Sequence, residues 1–577
     1  MNVKNDGCQR IVSQRDRHKK PKAAKRRPET AMMPEQTLVI HDLALPLAEC
    51  HAAPMHLAKL LQKQFHLSAQ ETASLTVCRR ALDARRRNPQ FVYSVSLRLP
   101  AKQAQRLIQS GKAQAQAAFT WQQWRLRRPP EAPPPVVVGA GPAGLFAALT
   151  LAQAGWPPIL LERGKAVEPR AKDVSKLYAH GVLDEESNVC YGEGGAGTFS
   201  DGKLYTRVND VRVRRFLGTL VALGADPHIL IDARPHLGTD RLIKLLKDMR
   251  QHLQSLGVVL RYQTRVENFD IDSGQLRGLG LGQGESLQTR HCVVATGHSA
   301  RDVWHALDRH AVAMEPRAFA VGFRVEHPQG LIDRLRYGDA AGDSNLPAAD
   351  YRLVYNERPS GRGVYSFCMC PGGVVVTTPT RDGALCINGM SHAARSGRFA
   401  NSALVVTVNP EDFSAAGYQG LFAGVDFQEA CERRAFEAGG GNFVAPASRV
   451  TDVMAGKVSS ALGSTSYRRG IEPADLATLY PEPVMAALRH GLRHFENKMR
   501  GFLTAEATLI GVETRTASPI RVTRDAQMQA QGASGLYPSG EGMGYGGGIA
   551  SAAIDGIRVA EALLQQVGAV AEDITQS

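Results

Sequence analysis

From Ala132 to Leu161 the chain carries no charged residue, and few folds accommodate such a run. A hydropathy window would take it for a membrane span. The run contains GAGPAG, Gln153, Gly155 and the pair Pro157–Pro158. Those glycines and prolines divide it into a strand, a turn, a helix and a second strand. Gly139, Gly141 and Gly144 form GxGxxG directly after the apolar triplet Val136–Val138, with Pro142, Ala143 and Ala148 in the helix that follows. Glu162 ends the next strand. Each position has a task. Gly139 allows the tight turn, Gly141 lets a pyrophosphate approach the backbone, and Gly144 lets the helix pack close to the sheet. The helix N-terminus offers unpaired N–H groups and a positive partial charge. An acid at Glu162 suits ribose hydroxyls and disfavours a 2′-phosphate, so the pattern predicts a dinucleotide other than NADP.

A second glycine-rich helix start near the C-terminus points to FAD rather than NAD. YPSGEGMGYGGGIASAAIDG places Gly540 and Glu541 in a turn, with Gly547, Gly548, Ile549 and Ala550 opening a helix. In two-part flavin folds the chain returns in this way to complete the flavin pocket: an acid holds ribityl hydroxyls and a helix points its positive end at the ring. A third cluster, GEGGAGTFSDGKL, supplies backbone room at Gly194, Gly195, Ala196 and Gly197 and hydroxyls at Thr198 and Ser200. It is expected to line the pyrophosphate or the isoalloxazine.

The 577 residues suggest several domains, and the net charge of +14 is uneven. Residues 1–30 carry +7, residues 31–128 carry +9, and the remainder carries −2. The basic excess therefore belongs to an N-terminal unit. Nine cysteines without a CxxC pair argue against a zinc ribbon or a thioredoxin-type motif and fit a reducing compartment, so the expected location is cytoplasmic. No metal site is expected. Residues 1–33 read as a basic disordered tail or as an extension upstream of a start at Met32 or Met33; no secretory h-region is present, and Asp6, Asp16 and Glu29 weaken a transit-peptide reading.

The expected fold class is α/β: a Rossmann-like two-part FAD-binding domain with an inserted, mainly β substrate domain, preceded by a small α+β (ferredoxin-like) module. The boundaries read as module 34–128, proline-rich linker 129–135, FAD domain 136–309, substrate domain 310–525, FAD domain resumed at 526–570, and tail 571–577. In the module the order is β-α-β-β-α. Thr239–Asp240 is placed as the cap of a helix reaching about Leu256, and LRGLGLGQGESL as a hairpin.

The set GAGPAG…ER, GEGGAGTFSDGKL, VVATGHSARD, GMSHAARSGRFANSALVV, ETRTASPIR and YPSGEGMGYGGGIASAAIDG resembles the bacterial FAD-dependent dehydrogenase-like family, related to the glutathione-reductase-type flavoproteins. The resemblance covers roughly 135–567. It implies non-covalent FAD. Gly139, Gly141, Gly144, Glu162 and Arg163 would hold the ADP half, and Val266 would sit near adenine. Ala295, Thr296 and Gly297 would close over the cofactor. Glu541 and Gly547–Ala550 would hold the ribityl chain and ring. It implies no particular reaction.

Residues for the chemistry are harder to read. Cys368 and Cys370 in SFCMCPGG would share one face of a strand, as a redox pair or as ordinary strand cysteines. Cys190 could approach the flavin or simply pack. His298 could act as a base or be a loop histidine. Arg395, Arg398, Arg515 and Arg521 could clamp an anionic substrate or form salt bridges. No catalytic residue is assigned. The chain lacks a second convincing GxGxxG, so NAD(P)H would reduce the flavin only by transient docking, or the small-molecule substrate would itself be the donor. Two other classes compete. The basic module, with RRALDARRR and WQQWRLRR, could make this a flavin-dependent RNA-modifying or RNA-binding protein, although charge runs are usually solvated faces and nucleic acid is the weaker reading. A flavin-holding regulatory protein without turnover is the third.

Overall fold

The computed structural model describes residues 35–85, 88–358 and 360–576. The expectations for residues 1–33, and Arg86 and Arg87 of the basic run, lie outside them.

The N-terminal unit follows the order read from the sequence and adds a strand. Strand Glu35–Pro46 leads to helix Ala53–Phe65, strands Thr76–Asp83 and Gln90–Pro100, helix Ala101–Gln109 and the short strand Gln114–Ala115. The four strands lie in the order second, third, first, fourth, all antiparallel to their neighbours, which is the split βαβ arrangement. Leu38, Ile40, Leu57, Leu61, Val95 and Leu97 form its core. Part of its positive charge is tied up: Arg80 pairs with Asp232 of the next unit at 2.7 Å, and Arg85 with Asp83.

The segment Phe119–Arg125 does not join this sheet. It pairs antiparallel with Val570–Gln576 along its whole length, and Trp124 and Leu126 pack against the core of the following unit. The expected tail 571–577 is thus a strand as far as Gln576. The expected module loses its last stretch to a ribbon that joins the linker to the far end of the chain.

The uncharged run divides as its glycines and prolines require: strand Val136–Val138, helix Pro142–Gln153, strand Ile159–Leu161. Every residue from Ala143 to Ala152 is buried, which is why the helix is apolar all round and resembles a membrane segment in composition. No helix among the described residues is long and apolar enough to cross a membrane. The sheet is parallel, in the order Leu536–Pro538, Cys292–Val294, Val136–Val138, Ile159–Leu161, Val259–Arg261. Helix Ile549–Gln566 lies across helix Pro142–Gln153 so closely that a Cβ on Gly556 would stand 2.0 Å from the Ala143 carbonyl. The expected hairpin is present as Gln275–Leu281 against Ser286–Gln288. The helix from Thr239 runs to Ser255, but Gly238 occupies the cap position and the Thr239 hydroxyl donates to the Thr198 carbonyl.

Between Phe319 and Glu513 the chain builds an eight-stranded, almost wholly antiparallel sheet around Phe319–Pro328, Gly363–Thr377 and Phe399–Val408. It is less purely β than expected, because helices Ala423–Ala438 and Glu482–Lys498 pack on it through Phe427, Leu488, Leu492 and Phe495. Turns at the C-terminal ends of the parallel strands and residues 365–369 of the antiparallel sheet line one cavity.

Candidate functional site

One cavity of about 750 Å3 runs between the two sheets. Its floor is the turn after Val138. Gly139 has φ 104°, and a Cβ there would stand 2.4 Å from the Ala295 carbonyl oxygen; one on Gly144 would stand 1.8 Å from the Gly139 carbonyl oxygen. Neighbouring protein backbone demands glycine at both. Gly141 differs: its nearest obstacle is the Gly195 Cα at 3.9 Å, and nothing lies within 4 Å of a Cβ on Gly297, Gly547 or Gly548. These four glycines line the cavity and leave room that no protein atom fills. A cofactor backbone or ring fits that cradle. Helix Pro142–Gln153 starts at Gly141 with no side-chain cap, so its first N–H groups are free to meet an anion.

The three glycine segments of the sequence meet here. A Cβ on Gly195 would come 3.2 Å from the Gly141 Cα, one on Gly197 would come 2.9 Å from Ile549, and the Gly194 N–H donates to the Ala140 carbonyl at 2.7 Å. Gly139, Gly141, Pro142, Ala143, Glu162, Arg163, Gly195, Ala196, Gly197, Val266, Ala295, Thr296, Gly297, Gly540, Glu541 and Gly547–Ala550 all border the cavity. Gly144, Gly194 and Thr198 lie behind it. Gly144 sits under the turn. Gly194 backs onto Leu246, and the Thr198 hydroxyl is engaged by Arg170 and the Glu193 carbonyl.

Glu162 is busier than its sequence position indicates. Its carboxylate accepts the N–H groups of Ala140 at 2.8 Å and of Gly164 and Gly192 at 2.9 Å. It splices the phosphate turn to the GEGG loop as well as facing the cavity. Arg163 is fixed by Glu186 and Asp302 and lies 4.1 Å from the Tyr191 ring centre.

Arg170 is a structural residue that the sequence does not single out. Fully buried, it donates to the carbonyls of Asn188, Val189, Gly192, Glu193 and Gly195 and to the Thr198 hydroxyl. Burial pushes its pKa down to about 10, so it remains charged at neutral pH. No spacing rule marks it, because its partners are carbonyls of a loop with no regular repeat.

Across the cavity Arg515 pairs with Glu432 at 2.7 and 2.8 Å and reaches the hydroxyls of Ser299 and Thr380. Burial alone would raise the Glu432 pKa, but Arg515 and Arg301 outweigh it and hold the carboxyl at about 2. Burial, then Arg515 and Arg301, push His298 down to about 4, so it is neutral at pH 7. Glu541 takes no side-chain hydrogen bond among the described residues; burial, then Cys368, push it up to about 8. Of the other expected arginines, Arg395 is bound to Asp201, Arg521 to Glu315, and Arg398 lies over Phe399. None of these three borders the cavity. Cys190 does. The mouth carries Tyr205 and Val354, both about half exposed (45% and 51%).

This chain is 41% identical over 531 residues to a protein of Clostridium beijerinckii described as an uncharacterized protein, with 88% of this chain and 96% of that one covered. Residues 318–516 match the family described as FAD-dependent protein, C-terminal domain-like, and residues 38–98 match a domain of unknown function. The chain belongs to the family of the Clostridium protein and carries the C-terminal domain of FAD-dependent proteins. Solved structures resemble it loosely. The protein CtdE in complex with FAD aligns at TM-score 0.29 and 11% identity, over 75% of this chain and 85% of that one. A geranylgeranyl bacteriochlorophyll reductase-like protein from Thermoplasma acidophilum aligns at 0.32 and 12%, over 75% and 78%. Likeness at that level carries no argument about the site.

Arg170→Met removes a buried donor from five interior carbonyls, of which Gly192 keeps the Gly195 N–H and Glu193 the Thr198 hydroxyl, and such a loss costs at least about 3 kcal/mol. We expect a lower urea midpoint together with weaker FAD uptake; a variant as stable as wild type would show that other contacts hold the loop. For Glu541, the folded state holds its proton to about pH 8, against a value of 4.5 in the unfolded chain. The stability this lends is lost as pH rises through that window. The melting temperature of cofactor-free Glu541→Gln, relative to wild type, should therefore climb between about pH 5 and pH 8 and level off above. A constant difference across the range would contradict a neutral Glu541.

Proposed function

We propose that the protein is a FAD-dependent oxidoreductase that holds FAD non-covalently in this cavity and passes hydride or electrons to or from a small-molecule substrate. The observation that carries the reading is the meeting of three separate glycine segments on one cavity, with open Cβ positions at Gly141, Gly297, Gly547 and Gly548. In this reading the parallel sheet is a Rossmann-like FAD domain and the large antiparallel sheet belongs to the substrate domain. Eight free cysteines among the described residues fit a reducing, cytoplasmic setting.

The residues divide the work along the cavity. Gly141 and Ala143 present backbone N–H groups to the pyrophosphate, and Glu162 and Val266 flank the adenosine end. Ala295–Gly297 close over the middle. Gly195–Gly197, Gly540, Glu541 and Gly547–Ala550 surround the ribityl chain and ring. FAD, when bound, supplies two-electron chemistry that no side chain can. Glu541, kept neutral, donates a hydrogen bond where a carboxylate could only accept. The N-terminus of helix Ile549–Gln566 turns a positive partial charge toward the ring edge. The Arg515–Glu432 pair walls the opposite side without presenting a free cation, and neutral His298 beside it is able to accept a proton. Substrate enters past Tyr205 and Val354.

The purified protein should be yellow. Gly141→Trp should lose FAD binding by at least tenfold, because the indole fills the space left by the glycine; normal FAD affinity in that variant would refute the placement. The electron donor is read by anaerobic mixing of the FAD-loaded protein with NADH and, separately, NADPH. Rapid bleaching of the flavin band makes a pyridine nucleotide the donor, and a band unchanged by either leaves a substrate-fed dehydrogenase or oxidase, or a flavoprotein without turnover.

A further inference from the structure

The end of the cavity near Glu541 is closed by strand Gly363–Thr377, and that strand is irregular where it matters. It pairs in register with Phe399–Val408 as far as Phe367 opposite Ala403; the next pair is Cys370 opposite Asn401. One extra residue is accommodated, as in a β-bulge. Cys368 takes φ 44°, a left-handed conformation that costs a non-glycine residue on the order of 1 kcal/mol or more. The bulge is pinned from behind. Arg324, completely buried, donates to the Cys368 carbonyl through Nη1 at 3.3 Å and Nη2 at 3.0 Å. Arg324 is in turn held by Asn388, Asn401 and Glu513. A Cβ on Gly389 would collide with this guanidinium at 2.8 Å.

The consequence differs from simple strand alternation. The two cysteines do not present one shared face: Cys368 borders the cavity, while Cys370 is fully buried just behind it. The two side chains are nevertheless neighbours: the Cys370 thiol donates to the Cys368 carbonyl at 3.3 Å, and each thiol shifts the titration of the other. The ionisable groups around them are Lys203, Asp201, Arg324, Glu513 and Glu541. Lys203 is ion-paired to Asp201 at 2.8 Å. The neighbouring Cys370 thiol, then Lys203 and Arg324, lower the Cys368 thiol against its own burial, whereas burial raises those of Cys292, Cys386 and Cys431. A strained backbone, a buried arginine holding it and two neighbouring thiols, one at the wall of the cavity and one just behind it, form an arrangement with a use.

We propose that Cys368 and Cys370 are a redox-active dithiol, a second two-electron centre that exchanges electrons with flavin bound in the same cavity. The proposal rests on the FAD reading above. In the oxidising direction both S–H bonds break and one Sγ–Sγ bond forms. The two electrons and one proton pass to the isoalloxazine of FAD, which is reduced, and the second proton goes to solvent. The reverse step consumes the same two electrons and two protons. A disulfide spanning one intervening residue closes a tight ring, and strained disulfides are the easily reduced ones, as a reversible centre requires.

Two readouts test it on the full-length protein. After equilibration in dithiothreitol buffers of graded oxidation, the protein is alkylated, and the tryptic peptide 363–381, whose only cysteines are this pair, is weighed. We expect both alkyl groups to disappear together in oxidising buffer and to return on reduction; a peptide doubly alkylated throughout overturns the proposal. Anaerobic dithionite titration of the FAD-loaded protein should take four electrons per flavin in wild type and two in Cys370→Ser and Cys368→Ala. A wild-type value of two overturns it as well. The peptide measurement needs no variant, so a serine substitution that fails to fold leaves the test intact. Protein that takes up no FAD sinks the oxidoreductase reading and the electron exchange with it. FAD-loaded protein whose peptide never loses its alkyl groups sinks the dithiol alone.

Discussion

The guanidinium of Arg170 is the point on which the site hangs. A loop of glycines has little to hold it in place, because each one gains conformational freedom in the unfolded chain that folding must remove. Here five carbonyls of that loop converge on one buried cation. A charge in the interior is tolerated only when its hydrogen-bonding capacity is met, and the loop meets it. Arginine and loop therefore fix each other: the loop conformation exists because it solvates the cation, and the cation is stable because the loop closes around it. Glu162 extends the same logic with the opposite sign, since its carboxylate gathers one backbone N–H from each of two glycine segments, at Ala140 and Gly192, and a third from Gly164. Two buried charges of opposite sign thus replace the side-chain packing that glycines cannot provide.

Much of this architecture is legible in the residues. The uncharged run has one economical reading as strand, turn, helix and strand, because glycine and proline interrupt it at the right places. The β-α-β-β-α order of the first unit follows from alternation and helical spacing. Other parts are invisible for physical reasons. Arg170 bonds to carbonyls, and carbonyls carry no sequence identity. The bulge at Cys368 depends on Arg324, which is distant in sequence and comes from a strand one removed across the sheet, beyond Phe399–Val408, so period-two alternation assigned both cysteines to one face. The pairing of Phe119–Arg125 with Val570–Gln576 joins segments separated by nearly the whole chain. Thr198 and Gly194 look like site residues because they sit inside a glycine motif, yet a motif marks a loop and does not say which of its atoms face inward.

The two sheets also divide the electrostatics. On the side of the parallel sheet the cavity offers backbone N–H groups and helix ends, which are partial positive charges that need no counter-ion. On the other side the buried charges come already paired, as Arg515 with Glu432 and Lys203 with Asp201. Such a wall polarises a neighbouring molecule; burial, with Arg515 and Arg301 adding to it at His298 and Cys368 at Glu541, keeps those two groups neutral. Neutral donors and acceptors beside a redox ring are suited to moving protons in step with electrons.

The parallel sheet draws its strands from opposite ends of the sequence: Val136–Val138 lies two strands from Leu536–Pro538, with Cys292–Val294 between them. During synthesis the first βαβ unit can form early, but the strand that completes the sheet and the helix that closes the pocket emerge only after some four hundred further residues. The antiparallel domain must therefore fold while its host is still open. A ribosome-bound chain carries the phosphate turn long before it has a pocket, so the cofactor is acquired as one of the last events of maturation.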